Sequence, residues 1–437
     1  MVAITIVRDD GSASRVTVDG ALTAGQMARR WSKKHGPVTL TSLDGSPVAA
    51  DAPCAALPAM LRAVAVGAPV QPASPPLAEV EPAPQPASVP SAAAVAPPPP
   101  PSPSPQPPPH SIVVGGRYEL RGLASRPDLN GMAAVVVADS GGDRCRCRCP
   151  GVAEVLAVKR DRLIPCAFAV RAIPGKDVGV VAARDLRRGE RILKERPAMT
   201  ARTTEDHAAS ALDASDAPDF WDLHDCHAVG ETKTVLGICR TNCFELRDPA
   251  TGDTRSGMFL LGSRFNHDCS PNVHRTWLPD EGVEVYHALR DVPEGAELCG
   301  EYIPLYYSTA KRREMLRKYD FVCGCAACAS GRGDAEREAF ERTYRALYAA
   351  PPTDAGALGK IEALLALAET AFDGSPAPAR RVLHDAVIIA LAQGRRPLAK
   401  SYMARLYDAQ RLSSGDTAVT RAFATYVDDV ARFKPSD

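Results

Sequence analysis

Four cysteines in two segments of the chain have the number and spacing of a closed metal site. Cys323, Cys325 and Cys328 lie within six residues, and Cys269 stands about 50 residues before them. Four thiolates complete the tetrahedral coordination of a structural zinc ion. In a reducing compartment, three thiols this close favour metal binding over a disulfide framework. The sequence therefore predicts a structural zinc site, and buried thiols without a metal ion are the alternative.

Two further sets of side chains could hold a ligand or act on one. Asn266 and His267 open the segment Asn-His-Asp-Cys-Ser-Pro-Asn, and an asparagine amide can both donate and accept hydrogen bonds. Tyr302 ends the segment Glu-Leu-Cys-Gly-Glu-Tyr, and Tyr319 precedes the three clustered cysteines. Taken alone, the Asn-His pair would be a loop feature and the tyrosines would be core aromatics.

In combination and in order, these segments resemble the SET-domain lysine methyltransferases, which use S-adenosylmethionine. The resemblance covers residues 168 to about 330 of the chain. It implies that Tyr302 and Tyr319 are catalytic and that Cys269 closes the zinc site. It also implies a set of residues that contact the cofactor, namely Gly175, Lys176, Val178, Gly179, Asn242, Asn266, His267 and Phe321.

Two features depart from the family pattern. Asp177 occupies a position that usually carries glycine, in the segment that contacts the methionine part of the cofactor. It therefore adds an acid near the carboxylate of that part. The MYND zinc finger of the similar SET-and-MYND proteins is absent from the sequence. Asp177 is the main support for a second hypothesis, a catalytically silent SET scaffold that binds a peptide or partner.

The reaction that the resemblance implies is an in-line displacement at a sulfonium methyl group. The attacking lysine amine must be neutral, so the site should desolvate the lysine and lower its pKa. Alignment of the amine, the methyl group and the sulfur supplies much of the acceleration. Hydroxyl and carbonyl dipoles around the methyl group add to it. Tyr302 would orient the amine, and Tyr319 would form part of the lysine channel.

Bulk properties exclude several other classes of protein. The 437 residues carry 52 basic and 52 acidic side chains, so no global field attracts nucleic acid or membranes. We see no long apolar run and no secretory signal at the N-terminus. Thirteen cysteines in a chain of this kind suggest metal ligands and buried thiols. We therefore expect an intracellular protein of the nucleus or the cytoplasm, with no direct binding of nucleic acid or membrane indicated.

Composition and periodicity divide the chain into five parts. The expected fold is multidomain, with a mainly-β SET fold of small, pseudoknotted sheets that carries a helical insert. The parts are a β-grasp-like module at 1–66, a Pro/Ala-rich disordered linker at 67–110, an SH3-like β-barrel module at 111–165, the SET domain with its zinc segment at 168–330, and an α-helical bundle at 331–437. A small α+β domain of no identifiable role is the alternative for 1–66.

One strand candidate in the third part alternates strictly between two residue types. Cys145, Cys147 and Cys149 fall on one face, and three arginines fall on the other. Alternate residues of a strand lie about 6.5–7 Å apart, which is too far for ligands of one zinc ion. We therefore expect buried reduced thiols. Arg144, Arg146 and Arg148 are expected to form a solvated face, and a basic strip for an acidic partner or nucleic acid is the alternative.

An insert between Pro197 and Gly237 carries His207, His224, Cys226 and His227. A metal site is one interpretation of these side chains. No second ligand pair has suitable spacing, so a plain helical insert is favoured.

The sequence thus predicts an S-adenosylmethionine-dependent protein-lysine methyltransferase with structural zinc. Its substrate would be a lysine in a protein or peptide, and both histone tails and non-histone proteins are open. The N-terminal modules and the Pro-rich linker could dock partners.

Overall fold

The computed structural model describes residues 111–433, apart from 204–217, 229–231, 249–250 and 374. It also describes the main chain of four strands nearer the N-terminus. The chain divides into two compact units, residues 1–104 and 105–437, and each is described by itself. In the part of the chain that is described, no helix has the length and the apolar character needed to span a membrane.

The first unit contains one four-stranded sheet. Its strands are β1 (Val2–Arg8), β2 (Ala13–Val18), β3 (Val38–Thr41) and β4 (Met60–Ala65), in the order β2-β1-β4-β3. β1 pairs antiparallel with β2 and parallel with β4. The rest of the module predicted at 1–66 and the Pro-rich linker lie outside the described residues. The β-grasp assignment therefore stays a prediction.

The second unit begins with a five-stranded antiparallel sheet. Its strands, in the spatial order β8-β7-β6-β5-β9, are β5 (Arg117–Leu120), β6 (Ala133–Asp139), β7 (Arg144–Arg148), β8 (Leu156–Lys159) and β9 (Leu163–Pro165). Its apolar face forms a core around Leu120, Leu129 and Val136. The SH3-like assignment of this module remains a prediction.

The alternation predicted for β7 is confirmed. Cys145, Cys147 and Cys149 are fully buried in this core, whereas the arginines of β7 are exposed. Burial raises the pKa of Cys147 to about 11 and that of Cys149 to about 12, so both are neutral thiols near pH 7. Neutral buried thiols pack like small apolar side chains.

The central region is built from small sheets. β10 (Phe168–Ile173) and β11 (Asp177–Ala182) form a hairpin. β12 (Arg191–Glu195), β17 (Val273–Leu278) and β18 (Val283–Ala288) form a sheet in the order β12-β18-β17.

Two more small sheets complete the central region. One contains β13 (Met199–Ala201), β14 (Cys243–Arg247) and β15 (Thr254–Met258), with β15 in the middle. In the other, β16 (Asn266–His267) pairs parallel with β19 (Cys299–Gly300). This short pairing brings together the two segments that carry Asn266 and Tyr302. The predicted threading of the chain into a pseudoknot stays a prediction.

The described part of the insert, which leaves out residues 204–217 and 229–231, contains two short helices, α1 (Pro218–Trp221) and α2 (Val235–Asn242). Asp225 is buried between them and accepts main-chain hydrogen bonds from His227 (2.8 Å) and Thr234 (2.8 Å). The Thr234 hydroxyl then caps α2 by accepting from the N–H of Gly237. Among the described residues, His224, Cys226 and His227 belong to no group of metal ligands, and His207 lies outside them. A helical insert therefore agrees with the structure.

The chain after Tyr302 is helical. α3 (Thr309–Leu316) and α4 (Ala326–Ser330) flank the clustered cysteines. Five longer helices follow, namely α5 (Asp334–Tyr348), α6 (Ala357–Ala371), α7 (Pro376–Ala392), α8 (Arg396–Ser414) and α9 (Ala418–Asp428).

The α-helical C-terminal region predicted from the sequence is confirmed. After Asp428 the chain leaves the last helix and forms a 3-10 turn at Val430–Arg432. α7 and α8 both have a proline in their first turn, where the missing N–H costs no hydrogen bond. Their apolar faces enclose one core, and α8 also packs on β17 and β18.

Candidate functional site

One wall of the candidate site is the turn between β10 and β11. Gly175 and Asp177 both adopt positive φ angles, +75° and +62°. Glycine enters this region freely, and aspartate is among the few other residues that tolerate it. The main-chain conformation thus explains why the related pattern has glycine at position 177. It also explains why aspartate is an acceptable replacement, with its side chain exposed.

Asn266 joins this wall to β19 and the residues before it. Its side-chain amide donates to the carbonyl oxygen of Val178 (3.2 Å) and to Oε1 of Glu297 (2.9 Å). The ammonium of Lys176 contacts Oε2 of the same glutamate at 2.6 Å. A Cβ at Gly179 would lie 2.6 Å from the Asn266 amide nitrogen, so only glycine leaves room for this contact. The structure therefore brings together Gly175, Lys176, Val178, Gly179 and Asn266.

Sequence reasoning missed Glu297 as a member of the site. It belongs to the segment that ends at Tyr302, but its partners lie 121 and 31 residues away along the chain. Its side chain is 21% exposed, which places the carboxylate at the boundary between the interior and solvent. Glu297 lies two residues before β19 and pairs with Val181 through an isolated bridge, a long-range contact that has no local signal in the sequence.

The His267 side chain faces the interior rather than the glycine-rich turn. Its Nδ1 accepts a hydrogen bond from the main-chain N–H of Tyr302 (3.1 Å). Its Nε2 lies 3.3 Å from the sulfur of Cys269. Because Nδ1 is the acceptor, the proton of the neutral ring is on Nε2 and points to the sulfur. Burial lowers the pKa of His267 to about 4, so the neutral ring is the form present at pH 7. Both ring nitrogens thus have partners within the protein, and the predicted contact of His267 with a cofactor stays a prediction.

Three aromatic rings, those of Tyr302, Tyr319 and Phe321, form a cluster with the ring of this histidine. The ring of Tyr302 lies 5.1 Å from Tyr319, 5.4 Å from His267 and 6.4 Å from Phe321, measured between centroids. The Tyr302 hydroxyl donates to the carbonyl oxygen of Phe265 at 2.8 Å. Burial raises the pKa of Tyr302, so the hydroxyl keeps its proton. Because the hydroxyl proton is used in this hydrogen bond, the lone pairs of the Tyr302 oxygen are available to accept one.

Asn242 lies at the end of α2 and holds the insert in place. Its amide donates to the carbonyl oxygens of His224 (2.7 Å) and Ile238 (2.8 Å). The main-chain carbonyl oxygen of Asn242 accepts from the Ser263 hydroxyl (3.1 Å). Both N–H groups of its side chain are therefore used within the protein. Its predicted contact with a cofactor stays a prediction.

The four predicted zinc ligands come together in space. The sulfurs of Cys269, Cys323, Cys325 and Cys328 all lie within 4.8 Å of one another. Cys269 is 4.0 Å from Cys323 and 3.5 Å from Cys328, close to the roughly 3.8 Å expected between sulfurs of a tetrahedral zinc site. Hydrogen bonds from Cys269 and Cys323 lower the pKa of Cys325 to about 5.

The donor set fits structural zinc. Three of the sulfurs are buried and Cys325 is half-buried. Four thiolates leave no open coordination position, so such an ion would hold structure rather than activate water. Among the described residues, this is the one group of three or more histidine, cysteine or carboxylate side chains placed to bind a metal ion.

A cavity of about 340 Å³ lies beside Tyr302, and sequence reasoning did not find it. Five aromatic rings line it, those of Phe244, Phe265, Trp277, Tyr286 and Tyr302. Its charged lining comes from Arg275, Glu301 and Arg380, the last of which belongs to α7. Arg275 stacks on Phe244 at 4.3 Å and pairs with the buried Glu284 at 2.7 Å. Burial raises the pKa of Glu301.

Comparison with known proteins identifies the central region. Residues 177–303 match the model of the SET domain. The chain is 33% identical over 166 residues to histone-lysine N-methyltransferase set5 of Schizosaccharomyces pombe, which is 37% of this chain and 50% of that protein. It is 34% identical over 110 residues to histone-lysine N-methyltransferase ASHR2 of Arabidopsis thaliana, or 22% of this chain and 27% of the relative.

A third relative is protein-lysine N-trimethyltransferase SMYD5 of Danio rerio, 35% identical over 97 residues, or 20% of this chain and 23% of that protein. The chain thus spans half of the length of the first relative and about a quarter of the other two. The resemblance inferred from the sequence is confirmed, and the chain contains a SET domain.

Proposed function

We propose that this protein is an S-adenosylmethionine-dependent protein-lysine N-methyltransferase. The observation that carries the proposal is the position of Tyr302. It follows β19, which pairs with the strand of Asn266, and its ring lines the aromatic cavity. We therefore assign the meeting point of the methyl donor and the acceptor lysine to this side chain. The SET-domain match and the names of the relatives support the same activity.

The residues of the glycine-rich wall fit the polar end of S-adenosylmethionine. Lys176 offers a cation for a carboxylate, and Glu297 offers an anion for an ammonium group. They pair with each other at 2.6 Å, and both are partly exposed. The methionine part of the cofactor carries both of these groups. Main-chain groups of Gly175, Val178 and Gly179 would line the same end.

A second set of residues would hold the adenosine part of the cofactor. We assign this role to the main chain of Asn266 and His267, to Asn242, and to the ring of Phe321. When bound, the cofactor supplies an electrophilic sulfonium methyl group. The protein has to place a neutral amine in line with it.

Tyr302 and Tyr319 would orient that amine. The Tyr302 hydroxyl donates to Phe265, so its oxygen can accept an N–H from the amine. Because this acceptor is already in position, it does not have to reorient when charge shifts during the reaction, and it can stabilise the transition state. The adjacent Tyr319 ring narrows the approach to Tyr302.

We assign the cavity to the acceptor lysine. Its aromatic lining would desolvate the methylene chain and lower the pKa of the amine. The carboxyl group of Glu301 lies next to Tyr302 in the chain, where it could attract the incoming ammonium. The substrate is a lysine of a histone tail or of another protein.

The test uses the full chain loaded with zinc. Binding of S-adenosylmethionine is measured by calorimetry, and methyl transfer is measured with labelled cofactor on histones and on a mixture of cellular proteins. We expect binding, and label on lysine that survives acid hydrolysis as methyllysine. Absence of cofactor binding would reject the enzyme and favour the silent scaffold.

A further inference from the structure

Two arginines lie in the interior next to the four cysteines. Arg312 is 0% exposed and Arg337 is 1% exposed, and they are the largest of the fully buried side chains described. A buried arginine is costly unless its charge is compensated and its N–H groups are bonded. Their surroundings must therefore supply negative charge.

The guanidinium of Arg312 contacts two of the candidate zinc ligands directly. Its Nε lies 3.2 Å from the sulfur of Cys269, and its Nη2 lies 3.4 Å from the sulfur of Cys328. Its remaining N–H groups donate to the carbonyl oxygen of Tyr307 and to the hydroxyl of Thr309. The nearest carboxylate is that of Asp334, at 3.4 Å.

These N–H···S contacts are most favourable when the two sulfurs carry a negative charge. Neutral thiols are weak acceptors, whereas thiolates accept strong, charge-assisted hydrogen bonds. Four thiolates around one Zn²⁺ leave a net charge of about −2. Arg312 would thus face a buried anion whose charge it partly neutralises.

The same charges connect the metal centre to the C-terminal helices. Asp334 opens α5 and accepts from the N–H of Thr309 (2.9 Å), besides its contact with Arg312. Arg337, one turn later, donates to the carbonyl oxygen of Cys269 (3.3 Å). Two residues in the first turn of α5, Asp334 and Arg337, therefore attach this helix to the metal centre.

A third link leads to the end of α6. Asp373 contacts the Ser270 hydroxyl, next to the ligand Cys269, and pairs with Arg332 at 2.8 Å. The segment around Cys269 is thus joined to two helices of the C-terminal region.

We propose that Arg312 is a positioning residue of the zinc centre, which makes attachment of α5 to the SET domain depend on bound zinc. With zinc, the guanidinium compensates the four thiolates. Without zinc, nothing holds the Cys269 segment and the other three sulfurs together, so Arg312 loses its two sulfur acceptors and Arg337 loses the fixed carbonyl oxygen of Cys269. The first turn of α5 then loses its anchor. This inference rests on the metal centre and does not require methyl transfer.

The first experiment measures the metal site itself in the full chain. Arg312→Met and Arg312→Lys are compared with wild type for zinc affinity, by competition with a chromophoric chelator. We expect Arg312→Met to lower the affinity about 10- to 100-fold, the usual effect of losing an outer partner of the ligands. Arg312→Lys keeps the charge and should restore part of the affinity.

Replacement of zinc by Co²⁺ adds a spectroscopic readout. Loss of N–H···S bonds makes the sulfurs stronger electron donors, so the thiolate-to-cobalt absorption of Arg312→Met should shift to lower energy. The matched control is Phe340→Leu, a core change in α5 whose ring packs on Phe372 in the core of the C-terminal helices, which contains none of the four cysteines. It should lower stability and leave both the zinc affinity and the cobalt spectrum unchanged.

The second experiment needs no variant. Hydrogen exchange of the wild-type chain is followed with zinc bound and after chelation. We expect exchange to rise in α5 well before it rises in α8, whose packing on β17 and β18 does not involve the cysteines. Equal protection of α5 in both states, or wild-type zinc affinity and cobalt absorption in Arg312→Met, would overturn the proposal.

Discussion

The main-chain N–H of Tyr302 donates to Nδ1 of His267 across 3.1 Å, and the other ring nitrogen of that histidine reaches the sulfur of Cys269. One imidazole therefore connects the candidate catalytic tyrosine to the candidate zinc centre. The position of Tyr302 depends on the metal ligands through a buried hydrogen bond, not only through the chain. Both ends of this connection can be tested.

Tyr302→Phe should lower turnover while S-adenosylmethionine affinity stays close to that of wild type. The ring keeps its packing against Tyr319, and only the hydroxyl bond to Phe265 is lost. Loss of one preorganised dipole at a reacting centre lowers kcat by about 100-fold or more. The measurement is steady-state methylation together with calorimetric cofactor binding. Unchanged turnover would remove Tyr302 from the catalytic residues.

Cys325→Ser should release zinc and loosen the segment after Tyr319. Three thiolates and a hydroxyl bind zinc much more weakly than four thiolates. Metal content per chain is measured by elemental analysis after dialysis. Cys147→Ala is the control, because it removes a buried thiol of β7 and should lower stability without changing the metal content. Full retention of zinc in Cys325→Ser would exclude it as a ligand.

Gly179→Ala should weaken cofactor binding. The new methyl group would lie 2.6 Å from the Asn266 amide and 2.7 Å from the Ile173 side chain, so Asn266 must move. Loss of its bonds to Val178 and Glu297 would open the wall. We expect the Kd for S-adenosylmethionine to rise by about tenfold or more, equal to about 1.4 kcal/mol.

The control for this change is Gly359→Ala, a glycine within α6 with open space around it. Alanine should stabilise that helix by about 0.5–1 kcal/mol. Its cofactor affinity should match wild type. Equal binding by Gly179→Ala would show that this turn is not part of the cofactor site.

Substitutions of Asp177 distinguish the effect of main-chain strain on stability from the effect of its charge on cofactor binding. Because its φ is +62°, Asp177→Ala should destabilise the protein by about 1–2 kcal/mol, whereas Asp177→Gly should be tolerated. Asp177→Asn keeps the tolerance of positive φ and removes the charge. If the carboxylate repels the cofactor, both Asn and Gly variants bind S-adenosylmethionine more tightly, and the gain shrinks at high salt. Equal binding by all three chains would show that Asp177 does not weaken the site.

Features that depend on local spacing could be predicted from the sequence, and those that depend on distant pairing could not. The spacing of the cysteines indicates the candidate metal ligands, and the apolar periodicity indicates the helices from Asp334 onward. Glu297 joins the site only because folding brings it to Lys176, 121 residues away.

Buried charge was the other source of missed features. A sequence suggests that arginines are exposed, yet Arg312 is fully buried against two sulfurs. Arg380 likewise reaches the wall of the cavity from a helix that no motif connects to Tyr302. In both cases the compensating partner comes from a different segment, and periodicity carries no information on such partners.

The burial of Glu195 leads us to expect a specific pH dependence of the free energy of unfolding. It is 1% exposed and accepts hydrogen bonds from the N–H groups of Leu261 (2.9 Å) and Gly262 (2.8 Å), just before the Asn266 segment. Burial, together with the nearby Glu284, raises its pKa from 4.5 to about 7. Between these two values the folded chain binds more protons at Glu195 than the unfolded chain does. This residue therefore makes the free energy of unfolding fall as pH rises from about 4.5 to about 7.

Glu195→Gln should remove that contribution, since the amide does not titrate. The measurement is denaturant unfolding of both chains, loaded with zinc, at intervals from pH 5.5 to pH 8. Groups away from Glu195 and its neighbour Glu284 titrate alike in both proteins, so the difference between the two curves reports on this buried site. We expect wild type to lose stability relative to Glu195→Gln as pH rises towards 7, and the difference to level off above it. A difference that does not change with pH would mean that the two main-chain N–H groups keep Glu195 ionised throughout.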